Sequence, residues 1–342
     1  MNSAGAGSQQ DVAAQEDKVR IRLDLSYDGT DFSGWAIQPD RRTVQGTLEQ
    51  GLEQILRLTA RKLPAARLTV AGRTDAGVHA RQQVAHMDIP TASWLALPGR
   101  SDREPGQALV ARLGGVLAQD VVVHAASWAP AGFDARFSAS QRRYVYRIAD
   151  TPLMYDPLRR SHVLWTRQAL DIDAMNQAAG QVLGLHDFEA FSKPRPGATT
   201  IRTLLTFHWQ RHSDGPDAGL VTATVIADAF CHNMVRSLVG ASMAVGQGRK
   251  DAGWLRTLLQ GVRQPGQTGG GHTGDGQRAG TQGAGGKGGG ALVKAPVISA
   301  HGLTLEEVLY PPDDQLATRA KAIRAQRNID NHAKISSNMC QN

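Results

Sequence analysis

Between Leu68 and Ile89 the chain reads as a strand, a sharp loop and a returning strand, and this segment constrains the fold more than any other. Leu68, Thr69, Val70 and Ala71 are apolar or β-branched, the make-up of a packed strand. After the loop, Val84, His86 and Asp88 alternate with Ala85, Met87 and Ile89, the period of two that a strand imposes. The run between them, Ala71-Gly72-Arg73-Thr74-Asp75-Ala76-Gly77-Val78-His79-Ala80, is too glycine-rich to serve packing. An aspartate in a loop is often only a turn former, because its side chain hydrogen-bonds nearby backbone. Arg, Thr, Asp, Gly and His gathered in one short loop between strands read instead as a carboxylate presented by a rigid sheet. Asp75 is that carboxylate, with Arg73 two residues upstream.

The remaining chain extends the same pattern. Val19 to Tyr27 alternates strictly and predicts a half-buried strand. Thr43 is a good N-cap for a helix whose apolar face is Val44, Leu48, Leu52 and Ile55. A second helix is expected over Gln107 to Leu117, preceded by a polar surface excursion from Pro98 to Gly106. Val121 to Ser127 predicts another strand, and Arg142 to Ile148 one more. Asp171 caps a helix with Ile172, Met175 and Val182 inward. Leu204 to Trp209 and Val221 to Ile226 read as a strand pair turned at Ser213 to Gly219. Phe230, Met234, Leu238 and Val245 are expected to line a long helix, and Trp254 to Leu259 a short one. Strand–helix–strand–strand units occurring twice predict an α+β protein, its two related halves meeting along one mixed, mostly antiparallel sheet.

The boundaries follow. Residues 1–17 are expected to be a disordered, polar N-terminal tail, 18–140 a first half carrying loop 71–80, 141–311 a second half, and 312–342 a polar basic tail. Inside the second half, 264–290 is dominated by glycine and cannot bury enough apolar surface to offset its ordering entropy. We read it as a disordered insertion, since Gly286-Lys287-Gly288 lacks the Ser or Thr of a phosphate loop. Arg319, Lys321, Arg324 and Arg327 in the tail have near-helical spacing, and a solvated tail is expected there.

Composition narrows the partners. The 342 residues carry 38 Lys and Arg against 31 Asp and Glu, a surplus of 38 − 31 = 7, with a pI near 9.7. That balance points to a polyanion. Cys231 and Cys340 offer neither a disulfide framework nor metal-ligand spacing, so a reducing, cytoplasmic setting is expected. No apolar run approaches the roughly 18 residues of a spanning helix, so no membrane is expected as a partner. The N-terminus lacks the charged and apolar regions of a secretion signal.

The loop 71–80 resembles the catalytic loop of the tRNA pseudouridine synthases of the TruA family. Four further blocks carry the resemblance in family order: Tyr27 to Trp35 with Thr43 to Glu49, Phe133 to Tyr146, Ala229 to Gly240, and Gly302 to Pro311. The resemblance implies the pseudouridine synthase fold, with a central cleft between the halves. It implies isomerisation of uridine to pseudouridine in the tRNA anticodon stem-loop, at positions 38–40, by a homodimer that uses no cofactor and no metal. Asp75 is then the catalytic residue, attacking the nucleoside or removing a ribose proton. A carboxylate beside arginine is ionised at neutral pH, which suits a nucleophile or base. The substrate-binding residues implied are Tyr144, stacking on the target uracil, Arg73 on the flanking backbone, and Arg236 as the partner that orients Asp75. His79 and His232 are read as structural. Arg41, Arg42, Arg61, Lys62, Arg142, Arg143, Arg159 and Arg160 are candidates for a tRNA track, and Phe133, Arg136 and Phe137 for the cleft lining, with core packing an equal alternative for the two phenylalanines. The alternative reading is a tRNA-binding chaperone of the same fold without catalysis.

Overall fold

The alternation from Val19 to Tyr27 becomes β1 (Lys18–Tyr27), whose odd-numbered residues are buried while the even-numbered ones are partly exposed. The structure is a computed structural model that describes residues 17–195, 199–263 and 291–325. The 264–290 insertion and almost all of the N-terminal tail therefore lie outside the described residues. β1 pairs antiparallel with β3 (His79–Pro90) on one side and β4 (Val121–Trp128) on the other. The short β2 (Thr69–Val70) pairs with β3, closing the hairpin around the Asp75 loop.

The second half repeats this arrangement. β5 (Gln141–Ala149) pairs antiparallel with β9 (Val221–Ala227), and β9 with β8 (Ile201–Arg211). β6 (Leu164–Trp165) and β7 (Gly184–Asp187) extend the margins. β10 (Leu303–Leu309) lies between the halves, antiparallel to β5 and parallel to β3 through Thr304 opposite His79 and Leu305 opposite Ala80. The order β4-β1-β3-β2 in the first half is thus matched by β10-β5-β9-β8 in the second. Each half also carries one helix after its first strand, α1 (Val44–Leu56) or α4 (Ile172–Gly180). Each places another before its last strand, α3 (Pro105–Val116) or α5 (Met234–Gly246). One hydrophobic core runs through both halves, from Ile21 and Leu48 to Tyr146 and Leu238. The expected α+β fold with one mixed, mostly antiparallel sheet is the observed one.

Local chemistry sets the helix ends. The Thr43 hydroxyl accepts from the Gly46 N–H at 3.2 Å, and the Asp171 carboxylate from Ala174 N–H at 3.0 Å, each satisfying an otherwise orphaned donor. Three expectations need correction. α3 begins at Pro105, inside the stretch read as a surface excursion, because Gln107 Oε1 accepts from the Glu104 N–H and Pro105 suits a first helical turn. A short α2 (Thr91–Leu95) follows β3 directly, while the short helix expected over Trp254 to Leu259 forms as α6 (Trp254–Leu259). α5 starts at Met234 and excludes Phe230, because Asn233 has φ +66°, a left-handed conformation that no helix interior accommodates.

The third correction concerns the tail. Residues 316–325 are helical and docked, with Leu316 and Ala320 buried. Arg319 donates to the carbonyls of Ala139 and Ser140, and Arg324 pairs with Asp134 at 2.5 Å. This part of the tail is a brace on the segment joining the halves, where a solvated arm was expected; Arg327 lies outside the described residues.

That segment also rests on β3, where the His86 Nδ1 accepts from the Ala135 N–H at 3.0 Å. His86 is 5% exposed, and burial, reinforced by the Arg20 charge, pushes its imidazole down to about 4. His162 and His301 are held below the ordinary value too, chiefly by burial. A histidine kept neutral in the fold but protonated when unfolded loses stability as pH falls from its unfolded value of 6.5 towards its folded one. The lowered carboxyls of Asp88, Asp134 and Asp150 act lower still, since their contribution is lost only as pH falls through and below 3.8. Denaturant unfolding between pH 7 and 4.5 should therefore show stability falling on acidification, with His86 contributing roughly 2 kcal/mol. Replacing His86 with Asn, which keeps an acceptor but cannot be protonated, should flatten that limb. A slope unchanged in the variant would refute the assignment.

Candidate active site

The Asp75 loop is held from beneath by the turn that follows β1. Trp35 N–H donates to Thr74 O at 3.0 Å and Gly77 N–H to Phe32 O at 3.3 Å. The Tyr27 hydroxyl bonds Thr74 Oγ1 at 2.8 Å, and Gln83 Nε2 donates to Gly72 O at 2.9 Å. Two glycines make so close a contact possible. A Cβ on Gly29 would lie 2.1 Å from Val78 O; one on Gly34, at φ +91°, would lie 2.9 Å from Thr74 O. His79 closes the loop's far end, its Nδ1 accepting from Gly29 N–H and its Nε2 lying 2.9 and 3.0 Å from the carbonyls of Ser161 and His301. Both ring nitrogens of His79 are thereby occupied.

Asp75 stands at the loop's tip, its side chain 26% exposed. Arg236, on the first turn of α5, places Nη1 3.5 Å from Asp75 Oδ2. The same guanidinium donates through Nε to Ile298 O at 2.8 Å and through Nη1 to Asn233 Oδ1 at 3.3 Å, which holds it in place. His232 Nε2 lies 3.4 Å from Asp75 Oδ1. Both contacts are long for hydrogen bonds, so the carboxylate keeps lone pairs free for a ligand. His232, read from sequence as structural, is thus a neighbour of the carboxylate. No helical spacing signals it, since His232 lies before the left-handed Asn233 that precedes α5.

Tyr144 forms the floor. Its ring meets Phe230 edge-to-face, centroids 5.1 Å apart. Burial raises its phenol well above the ordinary range, with the Tyr27 and Asp75 charges adding to the effect, and burial pushes Tyr27 up to about 12. Both are neutral phenols in the working range, so Tyr144 offers a stacking face and a hydroxyl and not a base. Tyr146, two residues on, is fully buried and donates to Ser299 O at 2.8 Å.

These groups surround a cleft of about 950 Å³. One wall is the 69–78 hairpin with Gly34 and Trp35, the other Ala229 to Arg236, and Arg136 and Arg195 stand at its rim. Arg73 also lines the cleft; it is exposed and makes no ion pair among the described residues. The structure does not bring it into contact with Asp75. Burial lowers the Arg136 guanidinium below its ordinary value, and the charges of Arg73, Arg195 and Arg202 lower it further. Asp134 offsets part of this, but three arginines facing one cleft still leave a surplus of positive charge that suits an anion. Arg195 escaped the sequence reading because it lies in a proline-bearing polar loop without periodicity.

The expected tRNA track fares differently. Arg42 pairs with Asp120, Arg143 with Glu307 and Arg159 with Asp217, while Arg61 donates to Ser93 Oγ. Arg142 is buried at the cleft and donates to backbone carbonyls. Phe133 belongs to the core at 1% exposed, not to the cleft. A second hollow of about 410 Å³ beside His79 has its charges satisfied internally, Arg147 by Glu306 and Asp217 and Arg81 by Glu306. Among the described residues no three His, Cys, Asp or Glu side chains gather as metal ligands, and no helix is long and apolar enough to cross a membrane.

Comparison with known proteins bears on the same residues. A family model described as tRNA pseudouridine synthase matches residues 178–270, the stretch that supplies Phe230, His232 and Arg236. A tRNA pseudouridine synthase A of Streptomyces griseus subsp. griseus is 50% identical over 312 residues, covering 91% of this chain and 95% of its own. A protein of the same name from Frankia casuarinae is 49% identical, over 90% and 96%. Another from Bifidobacterium animalis subsp. lactis is 43% identical, over 91% and 100%.

The close backbone approach at Gly34 yields a test. Gly34→Ala must adopt a positive φ and push the Thr74 carbonyl away, so unfolding stability should fall by about 1–3 kcal/mol. Amide exchange at Thr74 to Ala76 should rise with it. Unchanged exchange would show that the loop is held elsewhere.

Proposed function

The chain belongs to the tRNA pseudouridine synthase A family, and on that premise we propose that it isomerises uridine to pseudouridine at positions 38–40 of the tRNA anticodon stem-loop, with Asp75 as its catalytic carboxylate. The observation that carries this reading is the Asp75 side chain, open to the cleft and flanked by Arg236 and His232 above Tyr144. In the reaction the N1–C1′ bond of uridine breaks and a C5–C1′ bond forms. C5 gives up a proton and N1 ends with one, so the nucleotide's composition and oxidation state are unchanged.

Each chain residue has a part in this. A uridine inside a stacked stem must be flipped out to reach Asp75. Tyr144 and Phe230 offer the extruded base an aromatic surface, worth roughly 1–3 kcal/mol. Arg73, Arg136 and Arg195 neutralise the phosphates on either side of it. Arg236 holds the carboxylate oriented while leaving an oxygen free. Attack at a nucleoside carbon and removal of a ribose proton both start from that oxygen. The released uracil stays between the Tyr144 floor and the cleft walls, where it can turn and rejoin C1′ through C5.

A homodimer acting in the cytoplasm is part of the proposal. It is supported by Leu153 and Leu158, 90% and 87% exposed, near a Tyr155–Trp165 stack with centroids 4.7 Å apart. Apolar side chains so exposed suit a second copy of the chain. Sedimentation should give a dimer, and Leu153→Glu with Leu158→Glu a monomer; a monomeric parent would remove this part.

Tritium release from C5 of labelled uridine in tRNA tests the chemistry. The parent should release tritium, and Asp75→Asn should bind tRNA normally but turn over at least roughly 10³-fold more slowly. Residual release within about tenfold of the parent would sink the assignment. Binding by a parent that releases nothing would favour a chaperone of the same fold. Replacing Arg136 and Arg195 together with Gln should weaken tRNA binding and reduce the slope of log affinity against log salt by about 2. An unaltered slope would show that these side chains meet no phosphate.

A further inference from the structure

Arg142 is 7% exposed, yet no carboxylate touches its guanidinium among the described residues. Other buried arginines are neutralised, as Arg147 is by Glu306 and Asp217. Arg142 is held instead by four backbone carbonyls. Nη2 donates to Ala71 O at 2.9 Å and Arg136 O at 2.8 Å; Nη1 donates to Asp228 O at 2.5 Å and Ala139 O at 3.3 Å. Burying a charge without a counter-charge is costly, and a core position offers cheaper solutions. What the arrangement secures is spacing.

The four carbonyls belong to separate segments that meet at the cleft floor. Ala71 opens the loop that carries Asp75. Arg136 and Ala139 lie in the segment joining the two halves, which presents Arg136 at the rim. Asp228 opens the wall that carries Phe230, His232 and, one turn later, Arg236, and its carboxylate fixes that opening by accepting from Ala229 N–H at 2.8 Å and Thr203 N–H at 3.0 Å. A planar guanidinium has donors on several edges at fixed angles, so one side chain can bind all of these at once. A lysine ammonium is a single point of charge that cannot span them.

We infer that Arg142 is a positioning residue: by clamping Ala71, Arg136, Ala139 and Asp228, it sets the separation between Asp75 on one wall and Arg236 and His232 on the other. It contacts neither RNA nor the reacting atoms. The inference rests on Asp75 being the catalytic carboxylate, and it deepens that reading by assigning the registration of the site to a residue outside the reaction.

The test is single-turnover tritium release with enzyme in excess, normalised to folded protein, alongside tRNA affinity. Misplacing a reacting group by about 1 Å costs up to roughly 10²-fold in rate. Arg142→Lys should therefore lose roughly 30- to 100-fold in single-turnover rate while tRNA affinity stays within about threefold. In Arg142→Gly, added guanidinium below denaturing concentrations should recover part of the rate, and sodium chloride of equal ionic strength should not. Arg211→Lys, which weakens an ion pair with Asp150 remote from the cleft, should lower stability without changing the rate. A rate in Arg142→Lys within about threefold of the parent overturns the inference. So does an affinity that falls as far as the rate, which would make Arg142 an RNA contact, or a rate that guanidinium leaves unrestored. If neither variant folds, the parent decides: nitrogen-15 resonances of Arg142 should show slow guanidinium rotation, and rotation as fast as that of exposed arginines overturns the clamp. Release by Asp75→Asn at the parental rate would instead count against Asp75 itself, which separates the two failures.

Discussion

The structure depends on one backbone contact, the seating of the Asp75 loop on the turn that follows β1. At Gly29 and Gly34 the two backbone segments come closer than any side chain permits. Hydrogen bonds from Trp35 and Gly77 and the Tyr27–Thr74 bond then fix the loop from below. A surface aspartate would ordinarily sample many positions. Here the loop's conformational entropy is removed during folding, so the carboxylate meets a ligand already in place. The cleft walls, the arginine rim and the tyrosine floor are arranged around that seated loop.

The distribution of charge follows from that fixed point. Away from the cleft, arginines such as Arg20, Arg42, Arg143 and Arg211 face acids and contribute to local order. At the rim, Arg73, Arg136 and Arg195 crowd together, and Arg136 carries the electrostatic signature of that crowding. A net charge of +7 thus matters less than where the unpaired part of it sits. The basic character of the chain was legible as a number; the location of the anion receptor was not.

Much of the rest was legible. Alternation in β1, β5, β8 and β9 reflects one buried face per strand, which needs no tertiary knowledge to see. Thr43 and Asp171 announced their helices because caps act locally. The Asp75 loop declared itself through a combination of residue types that packing alone does not explain. Some corrections were local, as at the Glu104–Gln107 cap of α3 and the left-handed Asn233; others turned on contacts distant in the chain. Phe230 has the spacing of a helix residue, but the left-handed Asn233 breaks the helix and turns the ring into the cleft. Arg142 sits beside another arginine and reads as surface, since nothing local reveals four carbonyls converging on it. Residues 316–325 look like a solvated basic arm until Leu316 and Ala320 find the core and Arg324 finds Asp134.

The place of β10 has a consequence for synthesis. Apart from β10, the strands of each half pair within that half, so neither set waits on the other during synthesis. Within the sheet the hydrogen-bonded link between the halves runs through β10, which joins β3 on one side and β5 on the other. That strand spans Leu303–Leu309 and follows every other strand of the described residues in chain order. A chain interrupted before it carries the Asp75 loop and the Arg236 wall without the strand that sets them side by side. Synthesis from the N-terminus therefore withholds the assembled cleft, and with it the full grip on nucleic acid, until β10 has been made.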